Sequence, residues 1–355
     1  IFANEIVLLA YYIAAINIEE NFHSILGGQY KPFDGITLTD TFQMYESELD
    51  HTESLFPENN ERIERQKKAK ISIVIGNPPY SAGQTSANDN NQNFEYPNLN
   101  QRISETYAAL SDATLQRNLY DSYVRAIRLA TDRISESGIV AFVTNGSFID
   151  GNATAGLRKS LSSEFSSIYC FNLRGNQRTS GELSRQEGGK IFGSGSRTPV
   201  AITLLIKNPN HQGKCKIYYH DIGDYLDREQ KLKIITEFQS VANIQWTEIQ
   251  PNDEGDWINQ RNPEFEIFFA MSPKEEGEHI FCFSTPGVVT ARDKWVYNYG
   301  KKTLAKNVDL LVSFYNSEVD RLIDAKKRNP KVNVEEFFDS DPTKISWSRS
   351  LKRNA

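Results

Sequence analysis

The sequence predicts a doubly wound α/β domain followed by a smaller accessory region, and three observations carry that reading. Apolar, β-branched segments alternate with helical stretches through roughly the first two hundred residues. One of these segments, Ile71–Ile75, stops at Gly76 and delivers Asn77-Pro78-Pro79-Tyr80 at its carboxyl end, where open α/β sheets bind their ligands. After Pro209 the rhythm changes to an aromatic strand, a polar helix, a loop-rich stretch and a last long helix.

In chain order, a helix is expected over Ile6–Glu20 and a short strand over Gly35–Leu38. The run Ile71–Ile75 reads as a buried parallel strand, since it is apolar on both alternating faces. A helix over Leu115–Ser135 and a strand over Ile139–Thr144 follow, then a helix over Gly156–Phe165 and strands over Ile168–Asn172 and Val200–Ile206. Beyond a soft boundary near Asn210, the expected elements are the strand KCKIYYH, a helix over Tyr225–Val241 and a final helix near Leu304–Lys327. The domain reading is therefore residues 1–209 for the main domain and 210–355 for an accessory, partner-facing region. Between Ser81 and Asn118 the sequence is dense in Asn, Gln, Ser and Gly, so a mobile loop over the site is expected there.

The tetrapeptide at 77–80 suits a planar conjugated NH₂ group. The Asn77 side-chain carbonyl and the Pro78 backbone carbonyl can each accept one N–H, and Pro78 and Pro79 hold φ near −65°. Tyr80 adds a ring face on which a base can stack. Asn-Pro and Pro-Pro are also ordinary turn punctuation, and on residue type alone a plain turn is the competing reading.

Composition sets the outer limits. With 355 residues and 39% hydrophobic content the chain can bury one large or two ordinary cores, and no apolar run approaches the roughly 18 residues of a membrane span. Cys170, Cys215 and Cys282 stand far apart without a Cys-x-x-Cys pair, which points to a reduced compartment and to neither a zinc site nor a disulfide framework. The net charge of −6 is unevenly spread: residues 1–60 carry ten Asp/Glu against Lys31 alone, whereas residues 301–355 carry twelve Lys/Arg against eight Asp/Glu. Arg158, Lys159, Arg174, Arg178, Arg185, Lys190 and Arg197 form a further basic block, read either as a nucleic-acid face or as solvated surface.

Here the residues resemble a known family. Asn77-Pro78-Pro79-Tyr80 is similar to the catalytic motif of amino-methyltransferases that use S-adenosylmethionine (SAM) and act on adenine, cytosine or a protein glutamine. The runs Ile1–Glu19 (IFANEIVLLAYYIAAINIE), Gly138–Leu161 (GIVAFVTNGSFIDGNATAGLRKSL) and Phe171–Lys207, with Gly287–Tyr299 (GVVTARDKWVYNY) and Asp341–Leu351 (DPTKISWSRSL), look like the adenine methyltransferase region of type ISP restriction–modification enzymes. The likeness runs in order through nearly the whole chain.

That resemblance implies a Rossmann-like SAM-dependent methyltransferase sheet with its last strands antiparallel, acting on the exocyclic amine of adenine in double-stranded DNA after base flipping. It implies Asn77, Pro78 and Tyr80 as catalytic residues, Glu5 and Asp40 as contacts to SAM, and Phe192 as a second stacking ring, with no metal. On residue type alone Glu5 is equally a helix N-terminal Glu, Asp40 a turn or N-cap Asp, and Phe192 a core side chain. The family's glycine-rich turn for the methionine part of SAM, and the strand before it, are expected upstream of Ile1. The chain is therefore expected to lack the sheet's first strand and to be inactive as a separate piece. Nuclease, translocase and target-recognition domains are the implied neighbours, in a cytoplasmic protein. A protein-glutamine methyltransferase and a non-catalytic DNA-binding or coupling module remain the alternatives.

Overall fold

A computed structural model of the chain describes residues 1–46, 57–79, 96–111, 113, 116–193, 197–262, 264, 267–269, 271, 279–281, 283, 290, 292–329, 332, 337–339, 341, 343–348 and 351–352. They form two compact units, Ile1–Asn262 and Pro263–Ala355.

The first unit opens with a β-α-β turn: β1 (Ala3–Glu5), α1 (Leu8–Leu26) and β2 (Ile36–Leu38), with β1 and β2 parallel and Glu5 opposite Leu38. The outer edge of β2 is closed by a side chain. Asn59 of α2 (Pro57–Lys68) accepts from the Leu38 N–H at 2.8 Å and donates to the Leu38 carbonyl at 3.0 Å, as a neighbouring strand would. Helix α2 ends on Arg133, whose guanidinium donates to the last-turn carbonyls of Gln66 and Lys67.

Six strands form the main sheet, in the order β3-β4-β6-β5-β7-β8: β3 (Ile71–Gly76), β4 (Ile134–Asn145), β5 (Ser167–Asn172), β6 (Val200–Lys207), β7 (Lys216–Asp221) and β8 (Thr247–Ile249). β3 runs parallel to β4 and β5 parallel to β7, while β6 lies antiparallel between β4 and β5, the arrangement expected from the family. β7 and β8 extend the same sheet, and the first unit closes only at Asn262, so the boundary expected near Asn210 falls inside it. The aromatic pattern of β7 explains this: Tyr218 stacks on Tyr169 of β5 at 4.7 Å, and Ile217 is buried in the core.

β3 departs from the expected buried strand. Val74 faces the core, but Ile73 and Ile75 are 59% and 78% exposed, and among the described residues only β4 pairs with β3. No ladder joins β1–β2 to the six-stranded sheet among these residues. Side chains from the loop after β2 bridge this region to the main body: Tyr45 donates to Asp132 at 2.8 Å, and Tyr96 donates to Asp40 at 2.7 Å.

Part of the expected loop 81–118 is a helix. Tyr96, Leu99, Ile103 and Tyr107 recur at helical spacing and are buried in the core, and α3 (Pro97–Ile103) begins with proline at its first position. Glu46, itself buried, accepts from the N–H groups of Asn98 and Leu99 and so caps this helix. Residues 80–95, including Tyr80, lie outside the described set.

Helix α4 (Ser122–Arg133) buries Tyr123, Val124, Ile127 and Ala130, and α5 (Ala155–Glu164) buries Leu157 and Leu161 against the same core. A second cluster of Phe171, Leu173, Ile191, Val200 and Ile222 underlies α7 (Arg228–Phe238), while α6 (Gly181–Glu187) buries no residue. Helix α7 starts on a full capping box of Asp227 and Gln230.

The second unit holds α8 (Asp293–Val296) and the long α9 (Lys301–Arg328), close to the expected last helix. Trp295, Leu311 and Ile345 form its core, and Phe338 stacks on Trp347 at 4.3 Å.

Candidate functional site

Strand directions define one edge of the main sheet. Asn145 pairs with Val200, Asn172 with Ala201 and with Asp221, and Gly76 with Phe142. The carboxyl ends of β3, β4, β5 and β7 therefore lie together with the amino end of β6. In an open α/β sheet this is the ligand edge.

Asn77, Pro78 and Pro79 follow Gly76 directly at that edge, with Asn77 exposed and Pro78 half-buried. Gly76 is closely packed: a Cβ there would sit 3.1 Å from the Phe142 ring, which would have to give by a few tenths of an ångström. Tyr80 lies outside the described residues.

Glu5 and Asp40 are brought together by the β1–β2 pair. The Thr39 N–H donates to the Glu5 carbonyl at 2.9 Å, which sets the two acids at the carboxyl ends of adjacent strands. Glu5 Oε1 accepts from the N–H groups of Ile6 and Val7 at 2.8 and 3.0 Å, at the mouth of α1. Asp40 Oδ1 accepts from the Phe42 N–H at 2.9 Å in a side-chain-closed turn, and Oδ2 accepts from the Tyr96 hydroxyl. Both residues thus make the local contacts that residue type alone suggested, and both keep acceptor capacity, since a carboxylate has about four lone-pair sites.

Sequence reasoning missed the residues that hold Asp40. The Arg125 guanidinium lies 5.4 Å from the centre of the Tyr96 ring, and its Nε donates to Asn100. One turn earlier Asp121 starts α4, with the fields of Arg125 and Arg178 acting on it. Its Oδ1 is buried and accepts nothing among the described residues, and burial pushes the carboxyl up to about 6. The readable signal was an Asp before an apolar helix; its link to Arg178, more than fifty residues on, was not readable.

The basic block does not act as one surface. Arg158 is 0% exposed, and its guanidinium donates to Phe148, Gly151, Gly255 and Asp256. Arg174 is paired with Asp221 and Asp224, and Arg185 with Glu182. Arg158 and Arg174 are held within the fold by these partners, whereas the Arg185–Glu182 pair is an exposed one on the surface of α6. Arg178 and Arg197 are exposed and Lys190 is half-buried near the ligand edge. Phe192 is half-buried against the cluster of Phe171, Leu173 and Val200.

Among the described residues no three His, Cys, Asp or Glu side chains gather as a metal site, and no helix is long and apolar enough to cross a membrane.

Residues 4–177 match the family model described as Eco57I restriction-modification methylase, and residues 279–355 match the Type ISP C-terminal specificity domain. The class defined is a restriction–modification methylase joined to a specificity domain. The chain belongs to the type ISP restriction–modification family. It is 48% identical over 99% of its length to a nuclease-deletion mutant of the type ISP enzyme LlaGI solved with a DNA substrate mimic, with a TM-score of 0.89. It is 40% identical over 99% of its length to the ATP-dependent type ISP enzyme LlaBIII bound to DNA, with a TM-score of 0.86. To the chain of a DrdV–DNA complex it is 34% identical, with a TM-score of 0.83. The chain spans 28%, 23% and 34% of those three chains respectively. No curated protein matches it.

Proposed function

We propose that this chain carries the modification activity of a type ISP enzyme: SAM-dependent methylation of the exocyclic amine of adenine in DNA. The observation that carries this reading is the Asn77-Pro78 pair at the carboxyl end of β3, on the ligand edge of a chain with restriction–modification methylase sequence.

The chemistry follows from the acceptors. Adenine's amine lone pair is delocalised into the ring and is a poor nucleophile. The Asn77 side-chain carbonyl and the Pro78 backbone carbonyl accept its two N–H groups and favour the tetrahedral nitrogen of the transition state. Pro78 and Pro79 hold the two acceptors without reorganisation. SAM, when bound, supplies an electrophilic sulfonium methyl. Glu5 accepts from its ribose hydroxyls and Asp40 from its adenine amine. The donor sets fit: Glu5 Oε2 accepts nothing among the described residues, and each Asp40 oxygen has a lone pair beyond the bond it already makes.

Tyr80 stacks on the flipped base. Tyr80→Ala is expected to weaken capture of the extruded base by roughly 1–3 kcal/mol, while Tyr80→Phe keeps the ring and loses little. Fluorescence of 2-aminopurine at the target position reads extrusion; equal behaviour of the two variants would remove stacking from the account.

Substrate class is tested by offering the full-length enzyme a DNA oligonucleotide and a Gln-containing protein beside labelled SAM. Methyl transfer to DNA alone supports this reading, transfer to the protein supports a glutamine methyltransferase, and SAM binding with neither product supports a coupling module.

The 355 residues as a separate polypeptide are expected to bind SAM weakly and to methylate nothing measurable. Glu5 and Asp40 hold the nucleoside end, but among the described residues no glycine-rich turn follows a strand beside them to hold the methionine end. The methyl is then not aimed to within the roughly 1 Å that positioning demands. Isothermal titration of this polypeptide with SAM, beside one extended upstream, makes the comparison. Equal tight binding by both would refute the expectation.

A further inference from the structure

We propose that Lys231, with Arg228 beside it, is a positioning residue for DNA: together they tie the Gly188–Phe192 turn to α7 and so set where that turn meets the target duplex. The proposal rests on the DNA reading above, and extends it to Lys231, which is wholly buried, and to Arg228, which is exposed but turns its Nε inward to the backbone.

Lys231 is 0% exposed, and its ammonium makes no ion pair among the described residues. It donates instead to two backbone carbonyls, Glu187 and Gly189, both at 2.8 Å. Three residues earlier, Arg228 Nε donates to the Ile191 carbonyl at 2.8 Å. The backbone adds the Gly189 N–H to the Leu226 carbonyl and the Tyr225 N–H to the Gln186 carbonyl. The approach is close enough to require glycine: a Cβ on Gly188 would lie 2.1 Å from the Leu226 oxygen, and one on Gly189 2.7 Å from the Arg228 nitrogen. On its other side the same turn holds the exit of β5, through Gly175 N–H to Glu187 and Gln177 Nε2 to Gly188.

A lysine in that place has a cost that packing alone does not explain. Burial lowers its ammonium to about 8, and an apolar side chain would avoid that penalty. What lysine alone supplies is a long stem with several donors that reaches two carbonyls of one turn. The turn sits at the ligand edge beside the amino end of β6 and carries Lys190 and Phe192, with Arg178 and Arg197 attached through Gln177. The neutral amine still has two N–H groups for two carbonyls, so the tie survives deprotonation.

The test uses the full-length enzyme with Lys231→Met, Arg228→Met, Arg228→Lys and, as a control on the exposed face of α7, Lys233→Met. KM for an oligonucleotide carrying the target site, KM for SAM, kcat and the melting temperature are measured for each. The expectation is an increase of about tenfold in KM for DNA in Lys231→Met and Arg228→Met, with KM for SAM and kcat within about twofold. Arg228→Lys restores KM for DNA, and Lys233→Met leaves it unchanged. If Lys231→Met does not fold, the Arg228 pair decides. An unchanged KM for DNA in folded variants of an active enzyme, or equal losses for DNA and SAM, overturns the positioning role. A wild-type enzyme that transfers no methyl to DNA refutes the function itself.

Discussion

Asn77→Ala in the full-length enzyme is expected to lower the rate of methyl transfer to DNA by about 10²–10³, the usual cost of removing one preorganised acceptor or donor at a developing charge. SAM affinity and stability should stay near wild type. Asn77 is exposed at the end of β3, and its side chain fills no part of the core that Val74 and Phe142 complete, so truncation opens no cavity. Single-turnover kinetics with saturating SAM separate the chemical step from binding. A deficit in kcat with an unaltered KM for SAM fits a group acting on the reacting nitrogen. Near-normal turnover would end the proposed role of the motif, whatever the family relationship.

The parts of this molecule that were readable from sequence share one property: their causes are local. Ile168–Asn172 and Val200–Ile206 were read to within a residue of β5 and β6, because β-branched runs bounded by polar residues have few other options. What failed was long-range. Ile71–Ile75 has the composition of a strand covered on both faces, yet Ile73 and Ile75 are open, since cover depends on which elements neighbour β3. The polar stretch before Asn118 hid a core helix: Leu99, Ile103 and Tyr107 carry the period, but Asn and Gln dominate the count. The boundary near Asn210 missed because a change in rhythm along the chain does not reveal that β7 returns to pair with β5. Arg158 and Arg174 looked like part of a basic face until Asp221, Asp224 and Asp256, distant in sequence, arrived beside them.

The largest stability effect is expected at Asp256. Arg158 on α5 is wholly buried and spends its donors on Phe148, Gly151, Thr154 and Gly255, with Asp256 the only carboxylate at ion-pair distance among the described residues. Asp256 is 3% exposed and also pairs with Arg261 at 2.8 Å, so one carboxylate answers two guanidinium groups. These contacts fold the segment after β8 back onto α5, where Trp257 packs edge-on to Phe148. Asp256→Ala leaves the Arg158 charge buried without a counter-charge, which costs about 3–5 kcal/mol. The pH dependence has a definite sign. The hydrogen bond from Arg261, against the opposing effect of burial, holds the Asp256 carboxyl down at about 2 from an ordinary 3.8. A lowered carboxylate pKa gives stability that is fully present above the unfolded value and is lost as pH falls through the folded one, here from about 4 down to about 2. Urea unfolding of the first unit within the intact chain, followed by tryptophan fluorescence at neutral pH and again near pH 3, measures both. Asp256→Asn should keep part of the hydrogen bonding, lie between wild type and Asp256→Ala, and flatten the acid limb of the stability profile. A loss below about 1 kcal/mol for Asp256→Ala at neutral pH would mean that the two arginines find water on relaxation, and that this clamp does not hold the segment to α5.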